Sequence, residues 1–564
     1  MNSGLSNLWE SGKEGPYLVR HGQQPVRDFG RLKKSNGEES TDVLNLFERA
    51  FPCLFPYGTG GIEAPQPVEV DFTKHVRWAL QYCDKRFRKH ETFPFIVFGI
   101  LQRRQALRSA RLQTRRKTFD RDARILSSVT KERLAKAQEE EERGEPISDP
   151  AVRLLRQHVH TGTGGVMGSD QSRYKLRSQI WSTTVRKGPP SLWITINPSD
   201  LNDPITQIFA GENIDMEAFL ATAGPDKKRR ARNVAQDPYA AAKFFHFMIK
   251  TILETLFQVK VTKFQVKSGK GLLGRVAAYF GTVESQGRGT LHLHLLIWLE
   301  YTPSSDELLQ LLKTEEFRTR VVAFIKANIR SYVPGLESNE SIKMVPKDSE
   351  IAYNRPPNPD DVDYDTNLKE FELRVARSEQ VHTCKPRRCL IQDRDGQLRC
   401  KRRAPFNCSP NDFIMENGEW GSKRLHPYIN AWNPGILVNA RCNNDIKLLT
   451  NGADTRNISF YVTSYAAKKQ GKIHNLSAIL SKAYAYHEKY PKPSTDSLQK
   501  AQGDLINRLV NAINREQELA SVMVMSLLMG WGDVYRSHHY APIYWSSFSS
   551  HLCQAFPELR KPTK

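Results

Sequence analysis

Three short apolar runs have the length and residue types of β-strands. SLWITINP ends at Pro198, VAAYFGTVES begins at Val276, and LHLHLLIWL runs from Leu291 to Leu299. The stretches AAAKFFHFMIKTILETLF and DELLQLLKTEEFRTRVVAFIKANI instead repeat their apolar residues at helical spacing. This mixture predicts an α+β fold in which a core sheet has helices on one side.

The N-terminal part of the chain changes composition twice. The first 45 residues are rich in Gly, Ser and charge, which predicts a disordered, solvated arm. Apolar and aromatic residues return between Phe47 and Phe98 and indicate a compact lead-in. From Leu101 to Arg143 the sequence is charged and helix-prone, and we interpret it as a long solvated helical hairpin rather than a DNA clamp.

The net charge of the chain points to a polyanionic partner. Its 564 residues favour two to four packed units, and 83 Lys and Arg against 61 Asp and Glu give a formal charge of +22. Such an excess attracts nucleic acid through phosphate contacts and counterion release. No run of 18 apolar residues and no basic-then-apolar leader occurs, so we expect a soluble, intracellular chain with no membrane partner.

A basic run follows the breaker pair Gly224 and Pro225. It reads KKRRAR and includes Lys227, Lys228, Arg229 and Arg230. A nuclear-import signal, a phosphate-contacting loop and a solvated helix face all fit this composition, and five positive residues do not separate them.

Two histidines alternate within the third strand-like run. His292 and His294 point to the same face of a strand, while Leu293 points away. A divalent ion needs such convergent nitrogens and at least one further ligand, and Glu284 and Gln286 are the candidates on the adjoining segment. The alternative is two histidines satisfied by hydrogen bonds at a strand end.

Two tyrosines and a lysine lie at helical spacing in ISFYVTSYAAKKQGK. Tyr461, Tyr465 and Lys468 share one face of a helix. A phenol oxygen that attacks a phosphodiester conserves the bond energy in a covalent protein–DNA link, and a nearby positive charge stabilises the developing anions. The alternative is that these aromatic residues pack in a core.

A cluster of thiols suggests a structural metal site. The stretch VHTCKPRRCLIQDRDGQLRCKRRAPFNC contains groups suited to Zn²⁺, although their spacing is less regular than in paired knuckles. We expect four ligands, with Cys408 as a substitute: His382, Cys384, Cys389 and Cys400. Unligated intracellular thiols are the alternative.

Together these motifs resemble the Rep nuclease module of Helitron rolling-circle transposases, a branch of the HUH endonucleases. The histidine strand matches QGRGTLHLHLLIWL, the tyrosine helix matches YVTSYAAK, and a Thr-x-Asn-Pro strand ending matches Thr195, Asn197 and Pro198 in WITINPSD. Looser similarity runs from FPCLFPYGTGG to about residue 490. Helitron proteins are also similar in having a His-x-Cys and later cysteines between the two motifs.

The resemblance implies an HUH or Rep-type central antiparallel sheet with flanking helices, helical extensions and a small zinc-knuckle insertion. The domain layout that follows has seven segments: an arm at 1–45, a largely helical region at 46–185, a first nuclease half at 186–300, a helical insertion at 301–379, a zinc knuckle at 380–410, a second nuclease half at 411–485 and a C-terminal helical segment at 486–564. The residues expected at DNA are Asn197, Arg288, Lys227, Lys228, Arg229 and Arg230.

The activity implied is nicking and transfer of single-stranded DNA with Mg²⁺ or Mn²⁺, through a 5′-phosphotyrosine, in the nucleus. Complete Helitron transposases carry a helicase domain, whereas no G-x-x-x-x-G-K-[ST] phosphate loop occurs here. A truncated or decayed element copy and one half of a split gene are the alternatives that this leaves open, with a helicase supplied in trans as a candidate partner. A catalytically inactive DNA-binding remnant or adaptor is one alternative, and an RNA-processing protein is another.

Overall fold

The computed structural model describes most of the chain beyond the N-terminal arm. The described residues are 20–21, 24–25, 45–64, 66–116, 118–216, 224–262, 265–285, 289–386, 389–392, 396–450, 475–490 and 497–559. Within the predicted arm, Arg20–His21 pairs with Gln24–Pro25, and Asn45 already caps the first described helix.

The described α-helices are Leu46–Ala50, Phe72–Leu80, Arg86–Lys89, Phe93–Thr114, Phe119–Leu126, Lys131–Glu142, Pro150–Thr163, Asp170–Tyr174, Leu176–Lys187, Pro204–Ala210, Lys227–Gln236, Pro238–Thr251, Ser305–Leu311, Glu315–Asn328, Asn339–Met344, Tyr364–Glu379, Pro434–Ala440, Leu476–Lys489, Leu498–Arg515, Ser521–Leu528 and Trp545–Ala555. Ile252–Leu256 is a π-helical turn, and Ile351–Tyr353 and Pro557–Leu559 are 3₁₀ turns. None of the helices in these parts of the chain is long and apolar enough to cross a bilayer.

Several of these helices begin in the same way. A cap side chain accepts hydrogen bonds from the first backbone N–H groups, and a proline follows at the first helical position, as at Asp149–Pro150, Asp237–Pro238 and Asn433–Pro434. Proline removes no hydrogen bond at this position, because the N–H group of the first helical residue has no partner within the helix. The sequence therefore encodes these helix starts locally.

The described strands are β1 Arg20–His21, β2 Gln24–Pro25, β3 Leu192–Asn197, β4 Val259–Val261, β5 Val266–Ser268, β6 Val276–Ser285, β7 Leu291–Leu299, β8 Leu390–Gln392, β9 Leu398–Cys400, β10 Phe413–Ile414, β11 Trp420–Gly421, β12 Asn443–Leu448 and β13 Val534–Arg536. Five of them form one antiparallel sheet in the order β12-β3-β7-β6-β13, with β7 at its centre. The mixed helix and sheet architecture is confirmed, as are the three predicted strands, which are β3, β6 and β7. The prediction that helices lie on one side of the sheet is wrong, because helices pack against both of its faces.

The two faces of β7 enter different cores. Leu293, Leu295 and Ile297 point into the main core, which also contains the apolar face of the Pro238–Thr251 helix. On the opposite face, Leu296 joins a smaller cluster formed with the helix that follows residue 175. Because side chains alternate along a strand, this second face is also the one that carries the two histidines.

The prediction of a solvated helical hairpin at 101–143 is wrong. Three helices occupy the region, and Ala106, Leu134 and Ala137 are fully buried. They share a second core with Leu505 and Leu509 of the Leu498–Arg515 helix. The helices look solvated in sequence because four of their buried residues in this core are alanines, and a distant segment of the chain covers them.

The C-terminal segment is not purely helical as predicted. Val534–Arg536 pairs antiparallel with β6 and becomes an edge strand of the central sheet. His246 anchors it, since its Nδ1 contacts the hydroxyl of Tyr535 while its Nε2 lies 2.7 Å from Ser526 Oγ. The part of the chain at 534–536 therefore belongs to the same sheet as the histidine strand.

Candidate metal sites

Strand register brings an acidic residue opposite the histidine pair. β6 and β7 are antiparallel neighbours in which Glu284 is paired with His292, and Thr282 with His294. Residues two apart on a strand share a face, so the carboxylate and both imidazoles project from the same side of the sheet. All three side chains are buried.

The ligand atoms of these three residues converge. The Nε2 atoms of His292 and His294 are 2.9 Å apart, and Glu284 Oε2 lies 3.6 Å from the first and 3.8 Å from the second. At this separation either one imidazole donates a hydrogen bond to the other, or both lone pairs face a shared cation. Two imidazole nitrogens and a carboxylate within 4.8 Å of one another could hold a divalent ion.

A third strand orients one of the imidazoles. Thr195 on β3 is the register partner of His294, and its hydroxyl lies 3.0 Å from His294 Nδ1. The ring of Trp193 packs edge-on against the same imidazole, with centroids 6.0 Å apart. Because Nδ1 faces the hydroxyl, the other ring nitrogen is turned towards Glu284. The sequence contained Thr195 as part of a motif but gave no indication of this contact.

Several predicted residues lie outside the described part of the chain. These are Gln286, Arg288, Tyr461, Tyr465 and Lys468. Glu284 is therefore the one of the two candidate third ligands that the structure brings to the histidines. The convergence of the tyrosines with the histidines stays a prediction.

The predicted DNA-binding residues have different surroundings. Lys227, Lys228 and Arg229 are exposed on the Lys227–Gln236 helix, where Arg229 Nε pairs with Glu212 at 2.8 Å. Asn197 Nδ2 donates to Asn443 Oδ1 at 2.9 Å, which ties β3 to β12.

Arg230 requires a correction, because it is 4% exposed. Its guanidinium pairs with Glu350 at 2.5 Å and lies 4.9 Å from the centroid of the Tyr353 ring. A side chain held in this way belongs to the interior, so Arg230 is not available to a phosphate backbone.

The cysteine-rich segment folds into a second group of ligands. The β8–β9 hairpin places Leu390 opposite Cys400, which brings Cys389 next to Cys400. His382 Nε2 lies 3.2 Å from Cys400 Sγ and 3.4 Å from Cys384 Sγ. The ligand atoms of these four residues all lie within 4.8 Å of one another, and the set could hold a metal such as zinc.

Cys408 does not belong to this group. It is exposed, and its sulfur lies 4.0 Å from the carbonyl oxygen of Phe406. The expectation that it could substitute for one of the four is therefore not supported by its position.

The thiols of the group influence each other's ionisation. Burial, followed by the neighbouring thiols of Cys400 and Cys389, raises the pKa of Cys384 to about 11. Burial opposes ionisation of Cys400 as well, but the backbone N–H groups of Arg402 and Ala404, together with the thiols of Cys384 and Cys389, lower the pKa of Cys400. Closely spaced thiols resist joint ionisation unless a cation shares their charge, which is the condition that a bound metal meets.

Comparison with known proteins identifies one domain. Residues 75–297 match the family described as the Helitron helicase-like domain at N-terminus. The match supports a Helitron-related protein. The matched range contains β3, β6 and most of β7, and therefore all three residues of the Glu284 site, whereas the His/Cys group lies beyond it. No curated protein is similar enough to match the chain.

Proposed function

We propose that this Helitron-related protein nicks and rejoins single-stranded DNA at a divalent metal, as a nuclease of the HUH type. The observation that carries the proposal is the convergence of Glu284, His292 and His294 on the central strands of an antiparallel sheet. The position of this site inside the matched Helitron domain adds to the argument.

The donor set fits a divalent ion that accepts both nitrogen and oxygen. Mn²⁺ takes imidazole and carboxylate together, while Mg²⁺ prefers oxygen and would need further oxygen ligands from water or substrate phosphate. Both remain in the proposal, with Mn²⁺ the better match to these three residues. Glu284, His292 and His294 would hold the ion, and Thr195 would orient the His294 ring.

A divalent ion held by Glu284, His292 and His294 would polarise the scissile phosphate and offset charge on its non-bridging oxygens. On the resemblance, Tyr461 or Tyr465 attacks the phosphorus, the phenol gives up its proton, and the bond to the 3′ oxygen breaks. The leaving oxygen takes up a proton, so the products are a 5′-phosphotyrosine and a free 3′ hydroxyl. Lys468 would stabilise the phenolate, and the second tyrosine would carry out the paired transfer.

The His/Cys group is proposed as a structural zinc site formed by His382, Cys384, Cys389 and Cys400. Three thiolates and one imidazole are a ligand set that structural zinc sites use. A nuclear location and a helicase acting in trans are proposed on the resemblance alone.

A covalent adduct assay tests the nuclease proposal. Single-stranded oligonucleotides of varied sequence, labelled at the 3′ end, are incubated with the full chain and Mn²⁺, then resolved under denaturing conditions. We expect a labelled protein band that is lost in the His292→Ala/His294→Ala variant and in the Tyr461→Phe/Tyr465→Phe variant. Tyr57→Phe is the matched control, because Tyr57 is an exposed tyrosine outside the site.

The failure of this assay is also informative. If no sequence gives an adduct while DNA is still bound, the protein is a DNA-binding adaptor that lacks catalysis. Tighter binding of RNA than of DNA at one salt concentration would instead favour an RNA-processing protein.

A further inference from the structure

One helix covers the face of the sheet that carries the candidate nuclease site. Leu176 and Ile180 of the Leu176–Lys187 helix pack against Phe280, Leu296 and Trp298. Phe280 is an even number of positions from Glu284 on β6, and Leu296 and Trp298 are an even number from the histidines on β7. These sheet residues therefore lie on the same face as the site. The side of the helix turned away from the sheet is therefore exposed to solvent above that face.

That outer side presents aromatic rings together with arginine. Tyr174 is 58% exposed and Trp181 is 40% exposed, which leaves a ring face accessible at each position. The guanidinium of Arg177 lies over the Tyr174 ring at 5.2 Å from its centroid. Arg177 and Trp181 are four apart on the Leu176–Lys187 helix, and Arg177 reaches the ring of Tyr174 at the end of the preceding Asp170–Tyr174 helix, so the three side chains form a continuous stripe.

The C-terminal strand packs against the other flank of the Leu176–Lys187 helix. Arg536 of β13 donates from Nη1 to Gln179 Oε1 at 3.2 Å and stacks at 5.8 Å from the centroid of Tyr540. The Tyr540 hydroxyl in turn lies 2.7 Å from Thr183 Oγ1. The helix and the strand are therefore held together, with the stripe on one flank of the helix and Arg536 on the other, although Gln179 and Arg536 are 357 positions apart in the chain.

The charge of this surface has one sign. No Asp or Glu occurs at 171–199 or at 534–557. Arg186 and Lys187 are exposed at the end of the helix, and after the larger effect of burial their charges lower the pKa of His538. The surface borders an acidic residue where Lys187 shares a shallow cavity with Glu300.

We propose that this surface, formed by Tyr174, Arg177, Trp181, Arg186, Lys187 and Arg536, binds single-stranded DNA and directs it to the Glu284 site. The arginines and the lysine would contact phosphates, and bases would stack on the two exposed rings. Stacking requires a base face that a duplex hides, so the partner is a single strand. The inference rests on the proposed nuclease function.

The surface begins next to the site. Arg173 precedes Tyr174 in the chain, and its Nη1 donates to the carbonyl oxygen of Val283 at 2.9 Å. Val283 is the residue before Glu284. Arg173 therefore ties the Asp170–Tyr174 helix, which carries Tyr174, to the end of β6 where the candidate metal ligands are.

Binding without cleavage tests the proposal. The full chain is titrated into a fluorescein-labelled oligo-dT of about 20 nucleotides, longer than one stacking site needs, in EDTA, and anisotropy is measured over a range of salt concentrations. We expect Trp181→Ala to weaken binding about 10-fold with little change in salt dependence, whereas Trp181→Phe retains most of the affinity. We expect Arg186→Gln/Lys187→Gln to reduce the slope of log K against log salt by roughly 1.4. Tyr57→Ala is the control and should bind as the wild type does.

Two results would overturn the proposal. One is that the Trp181→Ala and the Arg186→Gln/Lys187→Gln variants both bind oligo-dT with wild-type affinity. The other is that Trp181→Ala weakens binding to a duplex of the same length as much as it weakens binding to oligo-dT. The assay is independent of the nuclease proposal. If the variants bind weakly and the wild type forms no adduct with Mn²⁺, the proposal of a DNA-binding surface is supported and the nuclease proposal is contradicted. If the variants bind normally and the adduct forms, the nuclease stands and the surface fails.

Discussion

Acidification should weaken the anchoring of the C-terminal strand through His246. This imidazole is buried between three elements and contacts Tyr535 and Ser526 through its two ring nitrogens. Burial lowers the pKa of His246 from its ordinary 6.5 to about 3. The folded protein therefore holds the ring neutral at pH values where the unfolded chain protonates it.

The sign and size of the effect follow from linkage. Above about pH 6.5 the ring is neutral in both states, and below it the unfolded chain binds the proton first, so stability falls as the pH drops from 6.5 towards 3. At about pH 5 this amounts to about 2 kcal/mol. Burial also raises the pKa of Asp200 and of Asp203 to about 6, and these carboxyls act in the opposite direction between about pH 6 and 4. The wild-type profile alone therefore hides the histidine effect.

A variant separates the two contributions. His246→Gln removes the titrating ring but leaves both aspartates, so their effect cancels in the comparison. The free energy of unfolding is measured with urea at about pH 7 and about pH 5 for both proteins, and between these values we expect the wild type to lose about 2 kcal/mol more than the variant. His551→Gln, at an exposed histidine, should follow the wild type. Equal pH dependence of wild type and His246→Gln would show that burial does not suppress protonation of this ring.

Further predictions concern the candidate sites. Thr195→Val should weaken Mn²⁺ binding about 10- to 100-fold in calorimetry while Thr195→Ser retains it, because the hydroxyl orients a ligand ring; equal affinity of the valine variant would contradict this role. Elemental analysis should find one zinc in the wild type and in Cys408→Ser but none in Cys384→Ser, so zinc retained in Cys384→Ser would argue against the site. Arg230→Ala should lower the free energy of unfolding in urea by about 2 kcal/mol, since its partly exposed carboxylate partner loses its ion pair. Lys227→Ala should change stability by less than about 0.5 kcal/mol but weaken DNA binding, because Lys227 is exposed, and a large loss of stability with unchanged DNA binding would contradict this role.

Local patterns predicted the strands of the site correctly, because β6 and β7 are short, mostly apolar segments that are buried on both faces. The same patterns did not distinguish Glu284 from Gln286, since both satisfy a two-residue period and only the pairing of β6 with β7 places one opposite His292. Register depends on contacts between strands, which a single segment does not contain.

Other features depend on contacts far along the chain. The short strand β13 forms because β6, which is distant in sequence, pairs with it, so its own residues carry little signal. Arg230 looks like part of a solvated basic run, and its burial comes from Glu350 and Tyr353. The irregular cysteine spacing becomes a compact group because a hairpin brings Cys389 and Cys400 together.

Identifying the residue that becomes linked to DNA tests the nuclease proposal at its chemical step. The adduct formed with Mn²⁺ is digested with protease and nuclease, and the nucleotide-bearing peptide is sequenced by mass spectrometry. We expect a 5′-phosphate on Tyr461 or Tyr465, and no such peptide when His292 and His294 are both replaced by alanine. A nucleotide on any other residue, or an unchanged yield in the double-alanine variant, would contradict the proposed metal-dependent attack by tyrosine.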